Sequence, residues 1–145
     1  MATRTARTAW NGDLQDGSGQ VELSSSQVGT YDVSFPKRAA DEAGGTTSPE
    51  ELVAAAHSSC YAMQFSALAA EAGGTPRSVE VTADVALGAD PAGGFRLTGI
   101  TLTVRAEVEG LDEDAVRKVA EAAKATCPMS KALTGVPITL DAALV

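Results

Sequence analysis

The segment from Ser48 to Ala72 constrains the fold more than any other part of the chain. Ser48 suits an N-cap, Pro49 the first helical position, and Glu51 the place where a capping box closes. Gly73-Gly74 supplies the stop. Between these signals the residues are apolar on nearly every face, so the helix has no side suited to water. It must be buried on all sides, under a sheet and against another helix. The run Leu52–Ala70 is a poor membrane span, because His57, Ser58, Ser59, Gln64 and Ser66 interrupt it. The 145 residues are enough for one domain with a sizeable core. No linker or repeat divides them, so a single domain over 1–145 is expected.

The rest of the chain supplies strands and two further helices. Thr3–Trp10 is β-tolerant and Asn11-Gly12 signals a turn. Strands are expected at Gln20–Ser24 and Tyr31–Phe35, the latter stopping at Pro36, with a loop over 39–47. Val79, Val81, Ala83, Val85 and Leu87 alternate with more polar neighbours, as do Ile100, Leu102, Val104, Ala106 and Val108. Period two over that length means half-buried strands, joined here by a hairpin loop at 90–94. Asp112–Thr126 is an amphipathic helix with Ala115, Val116, Val119, Ala120 and Ala123 inward. Pro128 disfavours helical geometry at Cys127, so the helix should break there. A short helix over Pro128–Leu133 and a last strand at Ile138, Leu140 and Leu144 complete an α+β fold with an antiparallel sheet.

Net charge is −8 with no basic cluster, which argues against a nucleic-acid partner. Met1–Trp10 carries Arg4 and Arg7 but no apolar core, so it does not read as a secretory signal. The expected location is the cytoplasm, with no membrane association. There are two cysteines, Cys60 and Cys127. In a reducing compartment such a pair serves catalysis or metal binding more readily than a structural bridge, although free cysteines also serve as small buried hydrophobes. Cys60 lies mid-helix, where burial raises a thiol pKa and the helix dipole helps little. A reactive Cys60 therefore needs a cation from elsewhere in the fold. Cys127 precedes Pro128 at a short helix start, where backbone N–H groups can stabilise a thiolate. His57 and Cys60 share a helix face at i, i+3. With Cys127 they would make a three-ligand zinc site, but the local ligand pairs usual in such sites are missing. A Cys-His nucleophile pair lacks a visible oxyanion motif or third member.

Two motifs carry a resemblance. The run Thr47-Ser48-Pro49-Glu50-Glu51-Leu52 through Ala54-Ala55-Ala56-His57-Ser58-Ser59-Cys60-Tyr61-Ala62-Met63 resembles the peroxidatic helix of the OsmC/Ohr family, the osmotically inducible protein C and organic hydroperoxide resistance proteins. Cys127-Pro128-Met129-Ser130-Lys131-Ala132-Leu133 is similar to that family's resolving-cysteine motif. The spacing between the motifs and the order of elements fit over the whole chain. The His-x-x-Cys form, and Ser after Cys-Pro-Met, look more like the OsmC branch.

The resemblance implies a thiol-dependent peroxidase acting in oxidative or osmotic stress defence, without cofactor or metal. Cys60 would reduce an organic hydroperoxide and become a sulfenic acid, and Cys127 would close a Cys60–Cys127 disulfide. A dithiol reductant would restore the pair, a role often played in the family by dihydrolipoamide-bearing proteins. The family's loop arginine maps onto Arg38, the sole arginine between Arg7 and Arg77, and its glutamate onto Glu50. Arg38 would stabilise the thiolate, and Glu50 would hold the guanidinium by a bidentate pair. An apolar mouth including Phe35, Met63 and Met129 would favour alkyl groups over hydrogen peroxide. The resemblance also implies an intertwined homodimer with sheets wrapped around two central helices. Helix geometry agrees: Glu50 and Cys60 lie ten residues apart, roughly 15 Å along one axis. Two antiparallel copies centred on Ala54-Ala55-Ala56 would bring Glu50 of one level with Cys60 of the other; the alternative is a kinked helix that folds Glu50 back onto its own Cys60. The competing readings are a non-enzymatic protein that binds an apolar small molecule, its thiols incidental, and a zinc-bound structural domain.

Overall fold

In the computed structural model, which describes residues 1–145, the N-terminal strands pair into an antiparallel sheet of order β1-β2-β3. They are β1 (Arg7–Asn11), β2 (Ser18–Glu22) and β3 (Thr30–Val33). Each is shifted or trimmed relative to the sequence expectation because pairing fixes its ends, as Ala9 opposite Gln20 and Val21 opposite Tyr31 illustrate. Gly12, at φ +88, makes the turn that Asn11-Gly12 signals. A helical turn, α1 (Phe35–Arg38), replaces the expected end of the third strand. Ser34 caps it by accepting from the Lys37 N–H, and Pro36 fits its first turn. The segment after it returns to the sheet through a parallel bridge between Val33 and Thr47.

The long helix, α2, spans Pro49–Glu71. The Ser48 hydroxyl accepts from the Glu51 N–H at 3.2 Å. The reciprocal half of the capping box is replaced, since the Glu51 carboxylate accepts the Thr47 hydroxyl instead. Gly73, at φ +89, ends the helix, with the Gly74 N–H donating to the Ala69 carbonyl. The chain divides into two compact units, 1–52 and 53–145, and the boundary falls in the first turn of α2.

The second unit contains the main core. β4 (Thr75–Ala89) and β5 (Phe95–Glu109) form a long antiparallel hairpin, longer at both ends than the alternating pattern alone indicates. A register shift between Pro76 and Ser78 accommodates the residue that cannot donate to the ladder. β5 is the central strand, and its Ile100, Leu102, Val104, Ala106 and Val108 are all buried. α3 (Glu113–Thr126), capped by Asp112 through the Ala115 N–H, buries Val116, Val119, Ala120 and Ala123. The backbone breaks at Cys127 (φ −57, ψ 125) and restarts as α4 (Pro128–Ala132).

The antiparallel expectation holds for β1-β2-β3 and for β4-β5, but β6 (Ile138–Leu144) pairs parallel to β5, Ile100 opposite Ile138. The two helices between β5 and β6 provide the crossover that a parallel return requires. The burial of α2 also departs from expectation. Its buried stripe is His57, Tyr61, Phe65 and Ala69, while Ala55, Ser59, Met63 and Ala67 are exposed. The inward stripe meets the core of β5 and α3. Tyr61 stacks on Phe65 with ring centroids 6.4 Å apart and donates its hydroxyl to the Ala120 carbonyl at 2.7 Å. No helix is long and apolar enough to cross a membrane.

Leu102 is fully buried in the central strand. Leu102→Ala should cost about 2–5 kcal/mol, the usual range for truncation in a packed core. Urea denaturation should give a lower midpoint with an unchanged slope.

Candidate active site

The α3–α4 break places the Cys127 sulfur beside the Cys60 sulfur of α2, 3.3 Å away. That is longer than a disulfide bond of ~2.05 Å, and both thiols are free. Cys60 is half-buried, whereas Cys127 is wholly enclosed. Their environments push them apart electrostatically. Burial raises the Cys60 thiol above its ordinary value, and the Met129 N–H only partly opposes it. Within 53–145 no guanidinium or ammonium offsets that burial. Burial also acts on Cys127 but is outweighed by the Ser130 N–H, the Cys60 thiol, the Ser130 hydroxyl and the Met129 N–H. Cys127 is therefore held below its ordinary value. The thiol–thiol contact can be drawn with either sulfur as donor. The lowered pKa of Cys127 and the raised one of Cys60 favour the arrangement with Cys127 ionised.

His57 lies one turn before Cys60 and is fully buried. Its Nε2 is 2.8 Å from the Ser130 hydroxyl, and its Nδ1 has no partner. Burial lowers its pKa and so favours the neutral ring. No three His, Cys, Asp or Glu side chains converge in a group that could hold a metal ion, His57, Cys60 and Cys127 included. Ser130 escaped the sequence analysis as a functional residue. Its only signal was its place in the Cys-Pro-Met-Ser run, which says nothing about a histidine 73 positions away.

Arg38 and Glu50 meet in the first unit. Arg38 Nη2 reaches Glu50 Oε1 at 2.6 Å, and Nε reaches Oε2 at 3.0 Å, a bidentate pair. Burial favours the neutral Glu50 carboxyl, but Arg38, with the Glu50 backbone N–H and the Ser48 hydroxyl, overrides it and lowers the pKa. The same pairing raises that of Arg38. Arg38 also edges an apolar pocket of about 450 Å³ whose walls include Trp10, Leu14, Val21, Phe35 and Leu52. Of the expected apolar mouth, Phe35 lines this pocket. Met129 packs against the core of the second unit, and Met63 is 73% exposed on α2.

A family model described as "OsmC-like protein" matches residues 41–141. The chain belongs to the OsmC family. Peroxiredoxin OsmC of Escherichia coli is 40% identical over 132 residues, which covers 91% of this chain and 90% of that protein. Among solved structures, the organic hydroperoxide resistance protein OhrB of Bacillus subtilis superposes with a TM-score of 0.75 at 29% identity, covering 95% of this chain and 97% of that one. An organic hydroperoxide resistance protein from Elizabethkingia anophelis gives a TM-score of 0.80 at 25% identity, covering 100% and 98%. The family match takes in Glu50, Cys60 and Cys127, and Arg38 lies just before its first residue.

Two buried groups give the OsmC-family chain a pH-dependent stability of one sign. His57 binds its proton less readily folded than at the ordinary value of 6.5. The unfolded chain therefore takes up the extra proton below that value, and stability falls as pH drops from there toward the folded value. Glu50 has a lowered folded pKa, so its contribution is present above the ordinary 4.5 and is lost as pH falls through the lowered value. The urea midpoint should decline from about pH 7 to about pH 4, and His57→Gln should remove the upper part of that slope.

Proposed function

We propose that this chain is a thiol-dependent peroxidase that reduces organic hydroperoxides to alcohols. The observation that carries the reading is the pair of free sulfurs 3.3 Å apart, one half-buried and one enclosed, in a chain with a peroxiredoxin relative at 40% identity. The Cys60 thiolate attacks the outer peroxide oxygen. The O–O bond breaks, the alkoxide takes a proton to leave as the alcohol, and Cys60 becomes a sulfenic acid. The Cys127 thiolate attacks the Cys60 sulfur, hydroxide leaves and is protonated to water, and the disulfide forms. A dithiol reductant, such as a dihydrolipoyl group on a carrier protein, returns two electrons. The reaction uses no cofactor or metal and takes place in the cytoplasm, as part of stress defence.

Residues 1–145 act as one OsmC-like domain, and the working unit is a homodimer. Two features support this. The α2 face carrying Ala55, Met63 and Ala67 is exposed, although the helix is apolar nearly all round. In addition, Cys60 lacks a cation within its own unit, while Arg38 is presented rigidly by Glu50 at the edge of an apolar pocket. Arg38 and Glu50 of one protomer serve Cys60 of its partner. The guanidinium stabilises the thiolate and polarises the peroxide. The Trp10–Leu14–Phe35 pocket takes the alkyl group, so hydrogen peroxide is the poorer substrate.

Cys60→Ser should abolish reduction of cumene hydroperoxide. Cys127→Ser should react once and leave a sulfenic acid on Cys60 that a trapping reagent labels. Loss of the first reaction in Cys127→Ser, with Cys60→Ser still reactive, would reverse the two roles. The shared site is tested by mixing inactive Glu50→Ala and Cys60→Ser chains. The heterodimer should regain one intact site, about half the activity per dimer. No recovery with heterodimers demonstrably present would place the whole site in one chain.

A further inference from the structure

This peroxidase chemistry leaves two buried titratable side chains without a task, and Tyr61 is accounted for by its bond to the Ala120 carbonyl, which leaves His57. It occupies the fully buried stripe of α2, where a smaller apolar residue would avoid leaving a ring nitrogen unpartnered. Its one hydrogen bond goes to Ser130, which stands three residues after Cys127 at the start of α4 and favours the charged form of that sulfur. All three side chains are buried, His57 on α2 and the other two at the start of α4.

The direction of that hydrogen bond follows from counting protons. Ser130 has one hydroxyl proton, and a neutral imidazole carries one N–H. If Ser130 donates to His57 Nε2, nothing remains to donate to a Cys127 thiolate, and the His57 proton sits on Nδ1 with no acceptor. If His57 donates from Nε2, the Ser130 proton is free for Cys127, and Nδ1 is a bare lone pair. Only the second arrangement serves the ionised sulfur. The other titratable neighbours do not substitute for it. Cys60 is the redox partner itself, and the Tyr61 proton is committed to the Ala120 carbonyl.

Building on the peroxidase reading, we infer that His57 is a positioning residue for the resolving half of the cycle. It donates from Nε2 to Ser130, so that the Ser130 hydroxyl donates to the Cys127 thiolate. The relay acts twice. Cys127 must be a thiolate to attack the Cys60 sulfenic acid, forming the S–S bond as hydroxide leaves. It must leave again as a thiolate when an incoming dithiol attacks. Because Cys127 is enclosed and Cys60 is partly open, the reductant attacks Cys60. The Cys60–reductant bond forms, the Cys60–Cys127 bond breaks, and its electron pair goes to Cys127. The second thiol of the reductant then releases Cys60 as the dithiol becomes a disulfide. A lower leaving-thiol pKa speeds that departure.

The test follows Cys127 by its thiolate ultraviolet absorbance in a Cys60→Ser background, with no peroxide present. Adding Ser130→Ala should raise the titration midpoint by about one to two pH units, the size of one hydrogen bond to a charged group. Adding His57→Leu should raise it too, and the two together should give less than the sum. His57→Gln, whose amide can still donate near the Nε2 position, should restore the midpoint. His57→Asn, too short to reach Ser130, replaces His57→Leu if the latter does not fold. In proteins that keep both cysteines, oxidised with diamide, Ser130→Ala should slow reduction by dithiothreitol several-fold. An unmoved midpoint in Ser130→Ala would overturn the relay. A shift there with none in the His57 variants would remove His57 from it. Neither readout depends on peroxide turnover, so a protein inactive toward hydroperoxides would count against the peroxidase reading alone.

Discussion

Helix α2 carries more apolar surface than one stripe of a helix can bury, and the second unit is organised around the stripe that does get buried. His57, Tyr61, Phe65 and Ala69 face inward at intervals of four. Tyr61 keeps its aromatic body in the core by handing its proton to the Ala120 carbonyl, which ties α2 to α3. β5 answers with five fully or nearly buried side chains at period two. Because α3 is fixed by this packing, the point where Pro128 breaks it is fixed as well. That point carries Cys127. The contact between the two sulfurs is thus a consequence of core packing.

The same packing creates an electrostatic problem. A thiol set on an apolar helix is harder to ionise, and Cys60 shows the effect. The two sulfurs differ in how far their neighbours offset it. For Cys127 the groups at the start of α4, Met129 and Ser130, favour the charged form of the sulfur against its burial. For Cys60 the Met129 N–H alone opposes burial, and it does not offset it. Arg38 cannot lose its proton at any relevant pH, and Glu50 holds it in a fork with two short contacts. That partner, with the Glu50 backbone N–H and the Ser48 hydroxyl, lowers the Glu50 pKa against its burial.

Sequence reasoning served unevenly along the chain. The ends of α2 and the break at Cys127 were legible because Ser48, Pro49, Gly73 and Pro128 act on the backbone within a turn of their own positions. The alternation of β5 was legible because one face is buried and the other faces water. The helical turn α1 was missed, since a Ser-Phe-Pro start is weaker than the strand pattern before it. The parallel pairing of β6 was missed for a deeper reason: a short apolar strand reads the same in either direction. The Arg38–Glu50 pair was anticipated through resemblance to a family motif, while Ser130 as the partner of His57 was not anticipated at all.

By itself the sequence determined where helices start and stop, which strands have one wet face, and that two cysteines stand in unlike backbone settings. These are local properties, set by a residue and its neighbours within a turn or two. Only the tertiary structure decided that the two sulfurs lie 3.3 Å apart and that His57 spends its Nε2 on Ser130. It also decided that Cys127 is the enclosed thiol and Cys60 the accessible one. Each of these joins positions some 70 residues apart, and such a contact depends on how whole elements pack. No pattern within a single helix or strand encodes that.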